Sequence, residues 1–277
     1  MRVEQMENGS VSYDEQAGTF DARAGLSDSI AKEIASSVLR IGLGAGGGDV
    51  LDIGAGTGEI GRWLCSPDRG YVGLDSSAAM LDEFRARLAG TTRASLVCSD
   101  ANSAWPVPSA SVALVFGSRV FHLLEVDHVA AETFRVASAD GAVLLMGRVK
   151  RRKDSVRNRM RARMRELLVD GGERPRDSEG KRSALVERCI ELGAERIERI
   201  EAARWPARHR PIESIDSWRG KDSMGGIVPP GRTKAEVLDE LTRWAESEFG
   251  DIQREIETQE SYMIEGIRIS GQGEGGS

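Results

Sequence analysis

The sequence has little of what builds metal centres and disulfide frameworks. Its 277 residues include three cysteines, Cys65, Cys98 and Cys189, and three histidines. An odd number of widely spaced cysteines supports neither a disulfide network nor a metal cluster, and it fits a reducing, cytoplasmic setting. With so few histidines, no zinc site is expected. Aromatics make up only 5% of the chain, which argues against an aromatic-rich sugar-binding face. Long apolar runs are missing too. Val112–Phe116 stops at five residues, far below the ~20 that cross a bilayer. The opening segment MRVEQMENGSVS has no apolar core, so no secretory signal is expected. A net charge of −6 disfavours nucleic acid and anionic membrane as partners.

What is present is the composition expected of a folded, soluble protein, 40% hydrophobic and 30% charged. Its charge is unevenly spread. Between Arg148 and Arg182 there are fourteen Lys or Arg against six Asp or Glu, an excess of +8, so the rest of the chain sums to −14. Such a basic segment suits either an anionic partner or the solvated face of an amphipathic helix.

From Val50 the sequence alternates short apolar strands with helical patterns. VLDIG reads as a strand and TGEIGRWLC as a helix; YVGLD is a second strand, followed by a helix from Ser77. SLVCSD and SVALVFG give a third and a fourth strand, Asp127–Ala137 a helix, and AVLLMGRV a fifth strand. Continuous apolar strands separated by helices predict a parallel sheet covered on both faces. Before it, Asp28–Ile41 has helical periodicity. After it, Ser155–Val169 and Arg182–Leu192 read as helices and RIERIEAARW as an alternating strand. Pro206–Gly231 reads as irregular, a capping box at Thr233 and Glu236 opens a further helix, and ESYMIEGIRI closes the sheet. The expected division is an N-terminal cover over 1–44, a core over 45–150 and a basic helical insertion over 151–193. The last two strands over 194–270 carry an inserted lid at 206–250, and 271–277 form a disordered tail.

Val50–Gly61, VLDIGAGTGEIG, is the segment that carries chemistry. Gly54, Gly56 and Gly58 at alternate positions let the backbone turn and approach a ligand with no Cβ in the way. Gly56–Gly61 also fits G-x-G-x-x-G, the dinucleotide fingerprint, which is weak alone. Against that reading, Asp52 sets a carboxylate at the strand end, where a pyrophosphate needs positive potential. An ammonium-bearing ligand without phosphate, such as S-adenosylmethionine, suits the carboxylate better.

Several ordered elements carry a family likeness: VLDIGAGTG, YVGLDSSAAML, LVCSDA, SVALVFGSRVFHLL and AETFRVASADGAVLLM. Over about Tyr13–Val149 the chain resembles the class I, Rossmann-like S-adenosylmethionine-dependent methyltransferases, in particular their small-molecule branch. The resemblance implies an α/β, doubly wound, mostly parallel seven-stranded sheet with an antiparallel last strand, and here helical insertions forming a cap. It also implies roles. Asp75 accepts the ribose hydroxyls, Asp100 and the Ala101 amide meet the adenine edge, and Met80 packs on the adenine face. Gly54 and Gly117 offer carbonyls to the methionyl ammonium with Asp52 nearby, Gly56 belongs to the same loop, and Tyr13 belongs to a cover over the sulfonium. Ser76 departs from the pattern, which usually has an apolar residue after the acid of the second strand.

In-line methyl transfer needs orientation and desolvation more than side-chain chemistry. His122, after the fourth strand, is the candidate general base, and Phe121, Trp205, Trp218 and Arg219 are candidate substrate contacts. Gly225 and Gly226 are candidate hinges of the lid. The FGSR segment lacks the Asn/Asp-Pro-Pro-aromatic pattern of adenine or glutamine amino-methylation, and no cysteine follows a proline, which disfavours covalent attack on cytosine. The expected function is transfer of a methyl group to an O- or N-nucleophile of a small molecule, with S-adenosyl-L-homocysteine as product. Alternatives are a nicotinamide-dependent oxidoreductase, a non-methylating protein of the same fold and, least favoured, an RNA methyltransferase. A homodimer contact is the competing reading of the lid.

Overall fold

A computed structural model describes residues 26–44, 48–88, 93–168, 178–220 and 228–271. Its centre is a seven-stranded sheet. Strands β1 (Val50–Ile53), β2 (Gly70–Asp75), β3 (Arg93–Cys98), β4 (Leu114–Ser118) and β5 (Gly141–Arg151) are parallel; β6 (Glu195–His209) and β7 (Ile256–Ser270) complete it. The spatial order is β3-β2-β1-β4-β5-β7-β6, and β7 runs antiparallel to both β5 and β6. This is the expected doubly wound, Rossmann-like sheet with an antiparallel last strand.

The helices explain why the central strands are apolar on both sides. Helices α1 (Asp28–Leu43) and α2 (Ala78–Arg87) cover one face, where Ile34, Val38 and Phe84 meet Val50, Leu114 and Tyr262. Helices α3 (Val126–Val136) and α5 (Ser178–Glu191) cover the other, through Val129, Leu185 and Cys189 against Leu51, Val115 and Leu144. All four residues of β1 are buried. Chain order reverses between β1 and β4, so a crevice opens beyond their carboxyl ends, where open α/β sheets bind ligands.

Two expectations change, and the bounds of another shift. TGEIGRWLC is not an α-helix; it forms turns and one short 3₁₀ turn, Gly61–Trp63. Gly58, at φ +74°, brings the backbone directly onto the Phe84 ring, and the chain must turn again at Ser66–Arg69 to enter β2. The helix expected over Asp127–Ala137 is α3, Val126–Val136: Glu125 precedes it without a side-chain cap bond, and Asp127 pairs with Arg188 at 2.8 Å. The described part of Pro206–Gly231 opens with regular structure rather than an irregular loop. Strand β6 continues to His209, and helix α6 (Pro211–Arg219) follows. Pro206 is tolerated because β6 is an edge strand, pairing only with β7.

A second, smaller core lies outside the sheet. Helix α4 (Val156–Leu167), capped by Ser155, packs with α6 and with α7 (Lys234–Phe249), which starts at the expected Thr233–Glu236 capping box. Met160 and Met164 meet Ile215, Val237 and Leu241 there.

Candidate active site

The carboxyl ends of β1, β2, β3 and β4 surround one cavity of about 380 Å³, within the range of small-molecule sites. Asp52, Gly54, Gly56, Asp75, Ser76, Met80, Asp100, Ala101 and His122 all line it. Sequence positions up to seventy residues apart are brought together because parallel strands deliver all their loops to the same edge.

Asp52 is the most deeply set acid, 3% exposed, and its Oδ2 accepts a hydrogen bond from the Tyr71 hydroxyl at 2.7 Å. Burial pushes its pKa up to about 7; the Tyr71 bond counteracts this and the charge of Asp75 adds to it. Asp75 ends β2. Its Oδ2 accepts from the Gly56 amide at 2.8 Å and its Oδ1 from the Ser77 amide at 2.9 Å, which fixes the carboxylate plane against the glycine loop. Asp100 lies two residues beyond β3, and its Oδ1 accepts from the Asn102 amide at 2.9 Å, an Asx turn at the rim. Met80 is 2% exposed, so it is both a core residue and cavity wall. Gly56 has φ +55°, and a Cβ there would meet nothing nearer than the Gly54 carbonyl at 4.0 Å. That direction is the cavity itself, so the loop is a cradle that a side chain would fill.

The remaining expected residues divide. Gly117 sits behind the wall, beside Phe121 and Ile53. Phe121 is buried in the core at 4% exposure, because the 3₁₀ turn Phe121–Leu123 turns its ring inward while His122 reaches the cavity. Trp205 is buried against β7 beside Ala203 and Tyr262 on the α1 side of the sheet. Trp218 packs into the α4–α6–α7 core, and Arg219 is exposed and paired with Asp216 at 2.5 Å. None of these five is among the described residues that line the cavity. Tyr13, Gly225 and Gly226 lie outside the described residues.

The sequence reading missed an ion pair across the cavity. Arg119 Nη2 meets Glu59 Oε2 at 3.0 Å, joining the glycine loop to the exit of β4. Arg119 has φ +62°, a rare conformation for a non-glycine residue, and its amide donates to the Gly147 carbonyl at 3.0 Å. Neighbouring Ser118 accepts at Oγ from the Tyr262 hydroxyl at 2.6 Å. Two of the thiols are not poised as nucleophiles: burial pushes Cys65 up to about 12, with Asp52 adding to it, and Cys189 up to about 11.

Residues 50–141, about a third of the chain, match a family model described as a methyltransferase domain. This segment is similar to a methyltransferase domain. Its surroundings have the class I, Rossmann-like architecture of S-adenosylmethionine-dependent methyltransferases, and solved structures agree on the fold. A Bacillus halodurans protein assigned as a methyltransferase is 16% identical, covering 86% of this chain and 99% of its own at a TM-score of 0.52. The [4+2]-cyclase SpnF is 17% identical, covering 93% and 94% at 0.53. A complex containing the Haloferax volcanii Trm112 methyltransferase activator includes a chain 17% identical, covering 95% and 100% at 0.51. At these identities the likeness shows the fold alone. No curated protein matches the sequence. Among the described residues no helix of the methyltransferase fold is long and apolar enough to cross a membrane, and no group of His, Cys, Asp and Glu could hold a metal ion.

Proposed function

We propose that the methyltransferase domain binds S-adenosylmethionine in the β1–β4 cavity and methylates an O- or N-nucleophile of a small molecule. The observation that carries the reading is the convergence of three carboxylates, Asp52, Asp75 and Asp100, around a loop with no Cβ at Gly56. The lining arginine, Arg119, is engaged by Glu59. Such a cavity favours a cation with a ribose and disfavours the pyrophosphate of a nicotinamide dinucleotide.

Bound there, S-adenosylmethionine supplies an electrophilic methyl group on a sulfonium, open to in-line displacement. Asp75, its plane fixed by two amides, accepts the ribose diol through charge-assisted bonds. Asp100 and the Ala101 amide face the adenine edge, and Met80 supplies an apolar wall. Asp52, with the Gly54 carbonyl, receives the ammonium. His122, on the cavity side of its turn, accepts the proton lost by the acceptor.

Titration calorimetry with S-adenosylmethionine, S-adenosylhomocysteine and NAD tests the cofactor assignment. Binding of NAD alone overturns it. Because the fold is shared with a [4+2]-cyclase, transfer itself needs a product assay. A screen of small-molecule acceptors for S-adenosylhomocysteine release supplies it, and a cofactor-binding protein that never releases that product on any acceptor contradicts methylation.

A further inference from the structure

Ser118 ends β4, is half-buried and lines the cavity. Its Oγ accepts from the Tyr262 hydroxyl at 2.6 Å, and that tyrosine stands on β7, two strands away. The register explains how the ring arrives there. Ser118 pairs with Gly147 on β5 and Tyr262 pairs with Val149, so the ring crosses β5 on the diagonal. It passes over Gly147, where a Cβ would overlap the phenol oxygen and lie 2.6 Å from the ring carbon Cε1. Any side chain at that position closes the passage.

The direction of the bond sets what Ser118 can do. Tyr262 is fully buried, and burial holds its phenol well above the ordinary range, with the Ser118 bond and Arg119 opposing and Asp52 and Glu59 adding. The phenol therefore keeps its proton and donates it to Ser118 Oγ. A serine hydroxyl has one proton and two lone pairs. With one lone pair taken by Tyr262, the proton of Ser118 is left for a different partner. Among the described residues its hydroxyl bonds Tyr262 alone, and the space it lines is the cavity.

Ser118 stands at a defined place relative to Asp52. Asp52 pairs with Phe116 and Ile53 with Gly117 across β1 and β4. Side chains alternate along a strand, so Ser118 shares the face of Phe116 and Asp52, two residues nearer the carboxyl edge. Strands about 4.8 Å apart with a rise of about 3.3 Å per residue set the two Cα atoms roughly 8 Å apart. One charge-assisted bond of about 2.8 Å at each end leaves space for the two charged groups of a single α-amino-acid head. Among the described residues Arg119, next to Ser118 and paired with Glu59 at 3.0 Å, is the only lysine or arginine in the cavity lining. The end of the cavity beside Ser118 is thus the least hostile to a carboxylate.

We propose that the Ser118 hydroxyl donates a hydrogen bond to the carboxylate of the cofactor's amino-acid head, opposite the Asp52 that receives its ammonium, and that Tyr262 is the positioning residue that holds Ser118 as a donor. The inference rests on the methyltransferase reading and deepens it, since the cavity then recognises the zwitterionic head as one unit. Tyr262 never touches the ligand; it acts through Ser118. Chained hydrogen bonds polarise one another, so a serine that accepts from a phenol is itself a better donor. The carboxylate is the part of the ligand that this donor selects, because the ammonium beside it offers no lone pair.

The test titrates the full chain calorimetrically with S-adenosylhomocysteine and with its decarboxylated analogue, the adenosyl thioether of propylamine, which keeps the nucleoside and the ammonium. Ser118→Ala should weaken S-adenosylhomocysteine at least about tenfold and leave the analogue within about twofold. Tyr262→Phe, which keeps the ring over Gly147, should weaken S-adenosylhomocysteine about threefold to tenfold, again with the analogue unchanged. Ser118→Thr, which keeps a hydroxyl, should stay within about threefold of the wild-type chain. Equal weakening of both ligands in Ser118→Ala and Tyr262→Phe overturns the proposal, because a general disturbance of the wall does not distinguish the carboxylate. Unchanged affinity for both ligands overturns it too, and a lowered turnover on an acceptor in the same variants would then set Ser118 against the methylated molecule. If the wild-type chain binds no S-adenosylhomocysteine, the methyltransferase reading fails and the proposal with it; if it binds and the variants bind equally well, the proposal fails alone.

Discussion

The Tyr71 hydroxyl donates to Asp52 Oδ2 across 2.7 Å, and both side chains are buried at the floor of the cavity. The bond lowers the pKa of Asp52, but burial outweighs it and holds the carboxyl at about 7. This links pH to both stability and ligand binding. A carboxyl raised from 3.8 in the unfolded chain to about 7 in the fold contributes stability that is present below the lower value and lost as pH rises through the upper one. A cationic ligand reverses the sign, because it pairs with the ionised form. The ionised fraction of a group with pKa near 7 rises roughly tenfold between pH 6 and pH 8. S-adenosylhomocysteine should therefore bind several-fold tighter at pH 8 than at pH 6, and Asp52→Asn should flatten the profile. Calorimetry at the two pH values checks this; an unchanged slope in the variant would assign the dependence elsewhere.

Asp75 holds the loop as well as facing the ligand, since it accepts from both Gly56 and Ser77. Hydrogen bonds to charged groups contribute about 1.5–3 kcal/mol each, so Asp75→Ala should weaken S-adenosylhomocysteine binding at least tenfold and up to about a thousandfold. The sheet should survive, because the residue ends a strand and faces a crevice. Equal affinity in a variant with wild-type circular dichroism would remove Asp75 from the site.

Gly56→Ala separates binding from folding. A side chain at φ +55° costs about 1–2 kcal/mol, and here its Cβ would enter the open cavity rather than the core. Thermal denaturation should show a modest loss of stability and calorimetry a far larger loss of ligand affinity. Similar proportional losses in both would mean that the loop supports the fold alone.

Much of the sheet and of the cavity was legible in the sequence, for physical reasons that can be traced. Asp52, Asp75 and Asp100 stand at or just past strand ends, where parallel strands must deliver their loops together, and glycines mark the backbone's approach. The Arg119–Glu59 pair was not legible, because its partners are sixty residues apart and each looks like a surface charge alone. The 3₁₀ turn after the glycine loop was misread because TGEIGRWLC has helical periodicity, and only the contact of Gly58 with Phe84 breaks it. Trp205 suggested a pocket residue in a proline- and glycine-rich context. In the fold it lies on a long edge strand, one of fifteen residues, whose alternation was obscured by Pro206.

His122 reaches the cavity from the turn after β4, while Phe121 beside it is buried. His122→Ala should lower turnover about 10²–10⁴-fold once an acceptor is known, with S-adenosylhomocysteine affinity little changed. A change below about threefold would leave His122 a packing residue of the cavity wall.

The central claim is that the acidic cavity holds a sulfonium nucleoside, and calorimetric titration of the full chain with S-adenosylmethionine and NAD in parallel tests it most directly. Saturable binding of S-adenosylmethionine, weakened in Asp75→Ala, with no heat from NAD is the expected result. Binding of NAD, with none of S-adenosylmethionine or S-adenosylhomocysteine, would contradict it.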